Sequence, residues 1–283
     1  MIRLDAATFL LQWAVGGLFF TWITTRRREV GLGYGWMMRS VYAVMAVGSV
    51  VTGRVLGPVP VRDIAAVAVV MATLVALAVS VQRRSAGVAG QRQLVERRSA
   101  RIAAMTGIDR DEQRFDPDAP EFPPVLDLVA PLIGVVGLVA GGIAAGSPAW
   151  LSVARVLVGA AFLGAVTDAM LLGHWYLVQP GLARGPLLEL VRWTAWIWPV
   201  HVAVMLIPTG MISVLNGTID DDYGGILGWM WVTCALTTLG LLVVTRLALK
   251  ERQYSAVMAA TGLLYLAILT AFGQDLVARA VLG

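Results

Sequence analysis

Residues 150–177 read WLSVARVLVGAAFLGAVTDAMLLGHWYL, and this stretch decides the class of fold. Its ionisable side chains, Tyr176 aside, are Arg155, Asp168 and His174. About 20 predominantly apolar residues, rising 1.5 Å each, cross the hydrocarbon core of a bilayer. This run is longer than that. A turn bracketed by Pro180 and Pro186 follows, and then a second apolar run, 187–215, which carries His201. The two runs read as a helical hairpin that holds both histidines of the chain.

Working outward, the remainder has the same character. Hydrophobic residues make up 58% of the 283, charged residues 14%, and mean hydropathy is +0.75. A soluble domain carries about 25% charged residues, so lipid is the expected solvent for most of this surface. Eight apolar runs can be drawn, at 6–24, 40–56, 63–81, 125–145, 150–177, 187–215, 225–249 and 254–281. The second is short and contains Gly53 and Arg54. The expected fold is therefore an all-α, polytopic integral membrane bundle of about eight transmembrane helices. Residues 1–81 hold the first three, 82–124 form a cytoplasmic loop, and 125–283 hold the last five. The first run has no basic segment ahead of it and ends in Arg26-Arg27-Arg28, not in a small-residue cleavage site, so it is expected to be retained.

Net charge is +4, but the basic residues cluster between the apolar runs, which speaks for membrane topology and against a nucleic-acid partner. Placing the Arg26 loop in the cytoplasm puts 17 of the 22 basic residues inside and leaves Arg3, Arg54, Arg62, Arg155 and Arg279 outward. Both termini are then outside. The loop 82–124 is basic at first, with six arginines against Glu96 between Arg83 and Arg101, and acidic later, with six acids against Arg110 and Arg114 between Asp109 and Glu121. Residues 91–105 read as a short basic helix, and the proline-rich 116–124 as extended chain. Either the basic end rests on anionic lipid while the acidic end stays solvated, or the loop docks a cytoplasmic subunit.

Asp168 is the most informative polar residue, because an ionisable group deep in a bilayer faces the protein interior and has a partner. Hairpin geometry suggests which one. Asp168 lies 12 residues before Pro180 and His201 lies 15 after Pro186, so their depths differ by roughly one helical turn or less. An Asp168–His201 pair would titrate near neutrality and suit proton transfer to a quinone or along a relay; a purely structural hydrogen bond is the alternative. His174 and Tyr176 sit near the inner end of the same run, as interfacial anchors or as the mouth of a quinone-headgroup pocket. Counted from the turn, His174 and His201 differ in depth by about 13 Å, too far for two axial ligands of one haem. Two histidines and a single cysteine, Cys234, leave no metal site of the usual kinds, so neither haem nor metal is expected.

Other features have ordinary explanations. Glycines 134, 137, 141, 142, 159 and 164 permit close helix packing, and Cys234 reads as a small buried side chain. Trp150, Trp193, Trp196, Trp229 and Trp231 read as an interfacial belt. Asp275 and Arg279 have i, i+4 spacing and read as a surface pair. Pro199 and Pro208 predict kinks in the sixth run. Asn216-Gly217-Thr218 and Asp220-Asp221-Asp222 are too short as motifs to define a glycosylation or calcium site. Phosphate-binding glycine loops, zinc-protease motifs and nucleophile elbows are absent from the sequence.

Residues 273–279, Gly-Gln-Asp-Leu-Val-Ala-Arg, resemble the Gly-Glu-Leu-x-x-Arg segment of the membrane anchors of molybdopterin oxidoreductases, namely the dimethyl-sulfoxide-reductase anchor and its NrfD-like relatives. The expected Glu is replaced by Gln274-Asp275, and the long inner loop follows the third run instead of dividing two equal halves. The resemblance implies a quinone-linked membrane subunit without its own haem. The expected function is thus a membrane subunit of a respiratory or redox complex in a bacterial inner membrane, handling quinone or protons, with Asp168 and His201 as reacting groups and His174 and Tyr176 at the cofactor. Its partners would be the bilayer and other redox subunits, with 82–124 as the docking segment. A proton-coupled or small-solute transporter and a structural or assembly protein are the alternatives.

Overall fold

A computed structural model describes residues 5–106, 115–116, 118–179 and 181–282, apart from the side chains of 98, 101–103 and 106. Among the described residues all regular structure is helical: α1 Ala6–Thr25, α2 Leu32–Leu56, α3 Pro60–Gln82, α4 Ala89–Thr106, α5 Leu126–Ala145, α6 Ala149–Val178, α7 Gly185–Leu206, α8 Gly210–Leu215, α9 Ile226–Ala248 and α10 Tyr254–Val281. Local chemistry sets the ends. Asp5 caps α1 by accepting from the backbone N–H of Ala7 at 3.1 Å and Thr8 at 3.3 Å. Pro60 and Pro186 sit in the first turns of α3 and α7, where a missing N–H is harmless. Gly57 and Gly146 follow α2 and α5.

The long helices close into two rings of four in chain order. In the first, α1 packs on α2, α2 on α3, α3 on α5 and α5 back on α1; in the second, α6, α7, α9 and α10 do the same. The rings meet where α6 lies against α1 and α5. At the crossing of α1 and α6 a Cβ on Gly16 would collide with the Ala160 backbone, and one on Gly164 with the Gly16 backbone. Bare backbone therefore sets the spacing between the rings, as expected where helices associate by close packing in lipid.

Six helices, α1, α3, α5, α6, α9 and α10, are long and apolar enough to cross a membrane. The outward faces carry large apolar side chains such as Val44, Ile64, Leu132, Leu236, Leu266 and Leu269, consistent with a multi-pass membrane protein. Helices α2 and α7 are comparably long, 25 and 22 residues, but contain Arg39 with Arg54, and Glu189 with Arg192.

Several expected boundaries move. The second run begins at Leu32, not residue 40, because Arg39 is a buried residue within α2 and not part of an inner loop. The run 187–215 divides: α7 ends at Leu206, and α8 is a separate turn and a half beginning at Gly210. The described parts of 82–124 fold against the end of the bundle. Glu121 forms ion pairs with Arg28 at 2.9 Å and with Arg92, Gly90 N–H donates to Arg28 O at 2.9 Å, and Phe122 is buried under the Arg39 guanidinium. The end of the acidic part is thus paired instead of solvated; residues 109–114 lie outside the described residues, as does Pro180 of the expected turn. Among the tryptophans, Trp150, Trp196 and Trp229 are exposed as a belt requires, whereas Trp231 is buried in the core. Cys234 is only partly buried.

Candidate functional site

Asp168 is fully buried where α6 meets the first ring. Its Oδ1 accepts from the Tyr42 hydroxyl of α2 at 2.5 Å, and its Oδ2 accepts from the Thr21 hydroxyl of α1 at 3.2 Å. Tyr34, also buried and two turns before Tyr42 on α2, lies close enough to act on the same carboxyl. Its hydroxyl makes no hydrogen bond among the described residues. Beside the site, Trp13 Nε1 donates to Thr167 Oγ1 at 2.8 Å, fixing α1 to α6. No cation lies within ion-pair distance of Asp168 among the described residues. The site is a carboxyl held by hydroxyls, a set that can donate and accept protons without a countercharge.

Glycine makes this geometry available. A Cβ on Gly17 would overlap Cζ and Oη of Tyr42, so the tyrosine ring reaches across α1 only because residue 17 has no side chain. Neighbouring Gly16 admits α6. The pair Gly16-Gly17 thus serves two partners on adjacent faces of α1: the backbone that carries Asp168 and the ring that binds it.

The expected Asp168–His201 pair does not form. His201 is buried, but its ring stacks on Phe162 with centroids 4.5 Å apart and an interplanar angle of 20°. Phe162 lies 16 residues before the end of α6 and His201 16 residues after the start of α7, so those two are level. Asp168 is six residues beyond Phe162, about 9 Å along the axis and about 240° around it, and faces the other ring. Counting from the prolines, not from the helix ends, produced the apparent match. The carboxylate facing His201 is Asp275, whose Oδ1 is 3.9 Å from Nε2. Asp275 and Arg279, expected on the surface, are buried: Arg279 Nε donates to Asp275 Oδ2 at 2.6 Å, and Arg279 Nη2 donates to Gln12 Oε1 of α1.

His174 and Tyr176 are not brought together either. His174 is exposed, with Nδ1 3.1 Å from the Tyr265 hydroxyl. Tyr176 points inward and donates to Ala183 O at 2.6 Å, closing the turn between α6 and α7. Two residues along a helix are about 200° apart, so a single pocket edge cannot use both.

Among the described residues, four arginines, Arg39, Arg62, Arg155 and Arg279, are fully buried. Arg39 grips Asp127 through Nε at 2.7 Å and Nη2 at 2.8 Å, the bidentate geometry favoured for buried pairs. Arg62, expected outward, binds Asp5 and Asp63, the latter at 2.8 Å. Arg155 donates to Val204 O at 3.0 Å and Ile207 O at 2.6 Å, tying α6 to the end of α7. Sequence reasoning missed Thr21, Tyr42, Tyr34 and Gln12. The available signal was the spacing of Asp5, Thr8 and Gln12, then Thr21, Thr24 and Thr25, which repeats at three or four residues inside an otherwise apolar run. Among the described residues, no group of three or more His, Cys, Asp or Glu side chains could hold a metal ion. Compared with known proteins, the chain matches no protein family, no curated protein and no solved structure.

Proposed function

We propose that this chain is an eight-helix integral membrane protein that takes up and releases protons within the bilayer, with Asp168 as the exchanging group. One observation carries the reading: Asp168 is fully buried, hydrogen-bonded by Tyr42 and Thr21, with no cation beside it among the described residues. An unpaired carboxylate in such surroundings is unfavourable by several kcal/mol, and ionisable groups in membrane interiors are retained for function. Helices α2 and α7 count as spans because one charge on each turns inward, Arg39 to Asp127 and Glu189 to Arg26 at 2.6 Å, the exposed Arg54 and Arg192 lie within about two turns of a helix end, and Val44, Val51, Trp196 and Val200 face out. Eight spans would return both termini to one side, and the positive-inside rule applied to the loop arginines supports reading that side as the outside of a bacterial inner membrane.

The setting we propose is the membrane subunit of a redox complex, in which quinone chemistry supplies or consumes the protons. Helix α4, anchored through Arg92–Glu121 and the Gly90–Arg28 hydrogen bond, would face the partner subunit. Proton flux through proteoliposomes tests the reading: Asp168→Asn should lose it and Asp168→Glu should keep part of it. Equal flux in wild type and Asp168→Asn would remove Asp168 from the function.

A further inference from the structure

A second polar cluster, unused by the proposed function, lies between α1, α6, α7 and α10. Buried polar atoms without hydrogen bonds are rare, and each has a cause. Three neighbouring residues contribute such atoms here: Gln12 Nε2, Asp275 Oδ1 and the ring nitrogens of His201, of which Nε2 faces Asp275. All three residues are fully buried. His201 Nε2 and Asp275 Oδ1 are 3.9 Å apart, too far for a hydrogen bond and close enough to share one small molecule. Gly159 borders the same place. A Cβ there would lie 2.6 Å from Gln12 Nε2 and 3.0 Å from Asp275 Oδ1, so both atoms look onto a face of α6 that has no side chain.

We propose that this cluster is a binding site for a water molecule that bridges His201, Asp275 and Gln12. The donor count fits. The water donates to Asp275 Oδ1 and to His201 Nε2, and accepts from the Gln12 amide, which gives the three hydrogen bonds usual for a buried water. The imidazole then carries its proton on Nδ1. Other ligands fit less well. A cation would compete with Arg279, already 2.6 Å from Asp275, and an anion would meet the Asp275 carboxylate. The groups around His201 are Asp275 and Arg279 from α10, Gln12 from α1 through its bond to Arg279, and Phe162 from α6; Arg155 of α6 is bound to the Val204 and Ile207 carbonyls, and the charged residue of α9, Arg246, lies at its far end. With Asp168 about 9 Å further along α6, His201 becomes a second proton station. That extension rests on the proposed function; the water does not.

Two histidines make the test direct. In the full chain labelled with 15N-histidine and reconstituted in bilayers, His174→Gln leaves His201 as the sole imidazole. Solid-state NMR should then show contact between water protons and Nε2. Gly159→Ala, whose methyl occupies the shared face, should abolish that contact and shift the Nε2 resonance. Asp275→Asn should shift Nε2 as well and covers the case in which Gly159→Ala does not fold. An Nε2 without water contact, or a resonance unchanged by both substitutions, would overturn the proposal. Asp168→Asn should leave this signal intact, so loss of the Asp168 reading in the flux assay would not touch it.

Discussion

Gly17→Ala should destabilise the protein, although alanine is the better helix former. Replacing glycine by alanine in a helix interior contributes about 1 kcal/mol in favour of the folded state. Here the new methyl overlaps the Tyr42 ring, which cannot retreat while its hydroxyl is bonded to Asp168 at 2.5 Å. Overpacking of this kind costs about 1–3 kcal/mol. Displacing the ring also leaves the carboxyl without its shorter hydrogen bond, about 1–3 kcal/mol more for a buried acceptor. The expected net loss is about 1–5 kcal/mol. Unfolding in mixed detergent–SDS micelles, run as a double-mutant cycle, isolates the cause. In a Tyr42→Ala background the obstruction is gone, and Gly17→Ala should become neutral or stabilise by up to about 1 kcal/mol. If Gly17→Ala stabilises the wild type, or costs the same with and without the Tyr42 ring, the packing argument for the site is wrong.

Other consequences follow from the same structure. Arg39→Leu strands Asp127 in the interior and should cost about 3–5 kcal/mol, whereas Arg39→Met with Asp127→Leu should recover most of it; the same unfolding assay reads both. Asp221 accepts from the backbone N–H of Gly225 at 2.7 Å, Tyr223 at 3.0 Å and Leu227 at 2.8 Å, and these bonds, Gly225 first, hold its carboxyl below the usual carboxylate range. With the folded value depressed, its contribution is present above the unfolded value and is lost as pH falls through the folded one, so acid should destabilise wild type more than Asp221→Asn in pH-dependent unfolding. Single cysteines placed at residues 57 and 217 of a Cys234→Ala chain should label from the same side, and one at residue 87 from the opposite side, if α2 and α7 span.

Much of the fold could be read from length and hydropathy alone, because lipid requires each crossing segment to satisfy its own backbone hydrogen bonds. Helices α3, α5, α6 and α10 fall close to where apolar runs place them. Boundaries failed where charge is buried in pairs: Arg39 looks like a loop residue until Asp127, 88 residues away, is seen to neutralise it. Asp168 was legible as a lone acid in an apolar run. Its partners were not, because depth can be counted along a hairpin but rotation cannot, and the six residues from Phe162 to Asp168 turn the side chain toward the other ring. Tyr42 and Thr21 carry no signal alone, since hydroxyl and aromatic side chains are common in membrane helices; only the repeated polar spacing on α1 hinted at them. Asp275 and Arg279 were found as a pair, but the ring that encloses them, with Gln12 from the opposite end of the chain, lies beyond any local pattern.

The central claim is that Asp168 exchanges a proton inside the bundle. Infrared difference spectra of the reconstituted protein, recorded across a pH titration, address it most directly. The account predicts a carboxyl band that responds to pH in wild type, shifts in Tyr42→Phe as its hydrogen bond is lost, and is missing in Asp168→Asn. Spectra of wild type and Asp168→Asn that superimpose at every pH would contradict it.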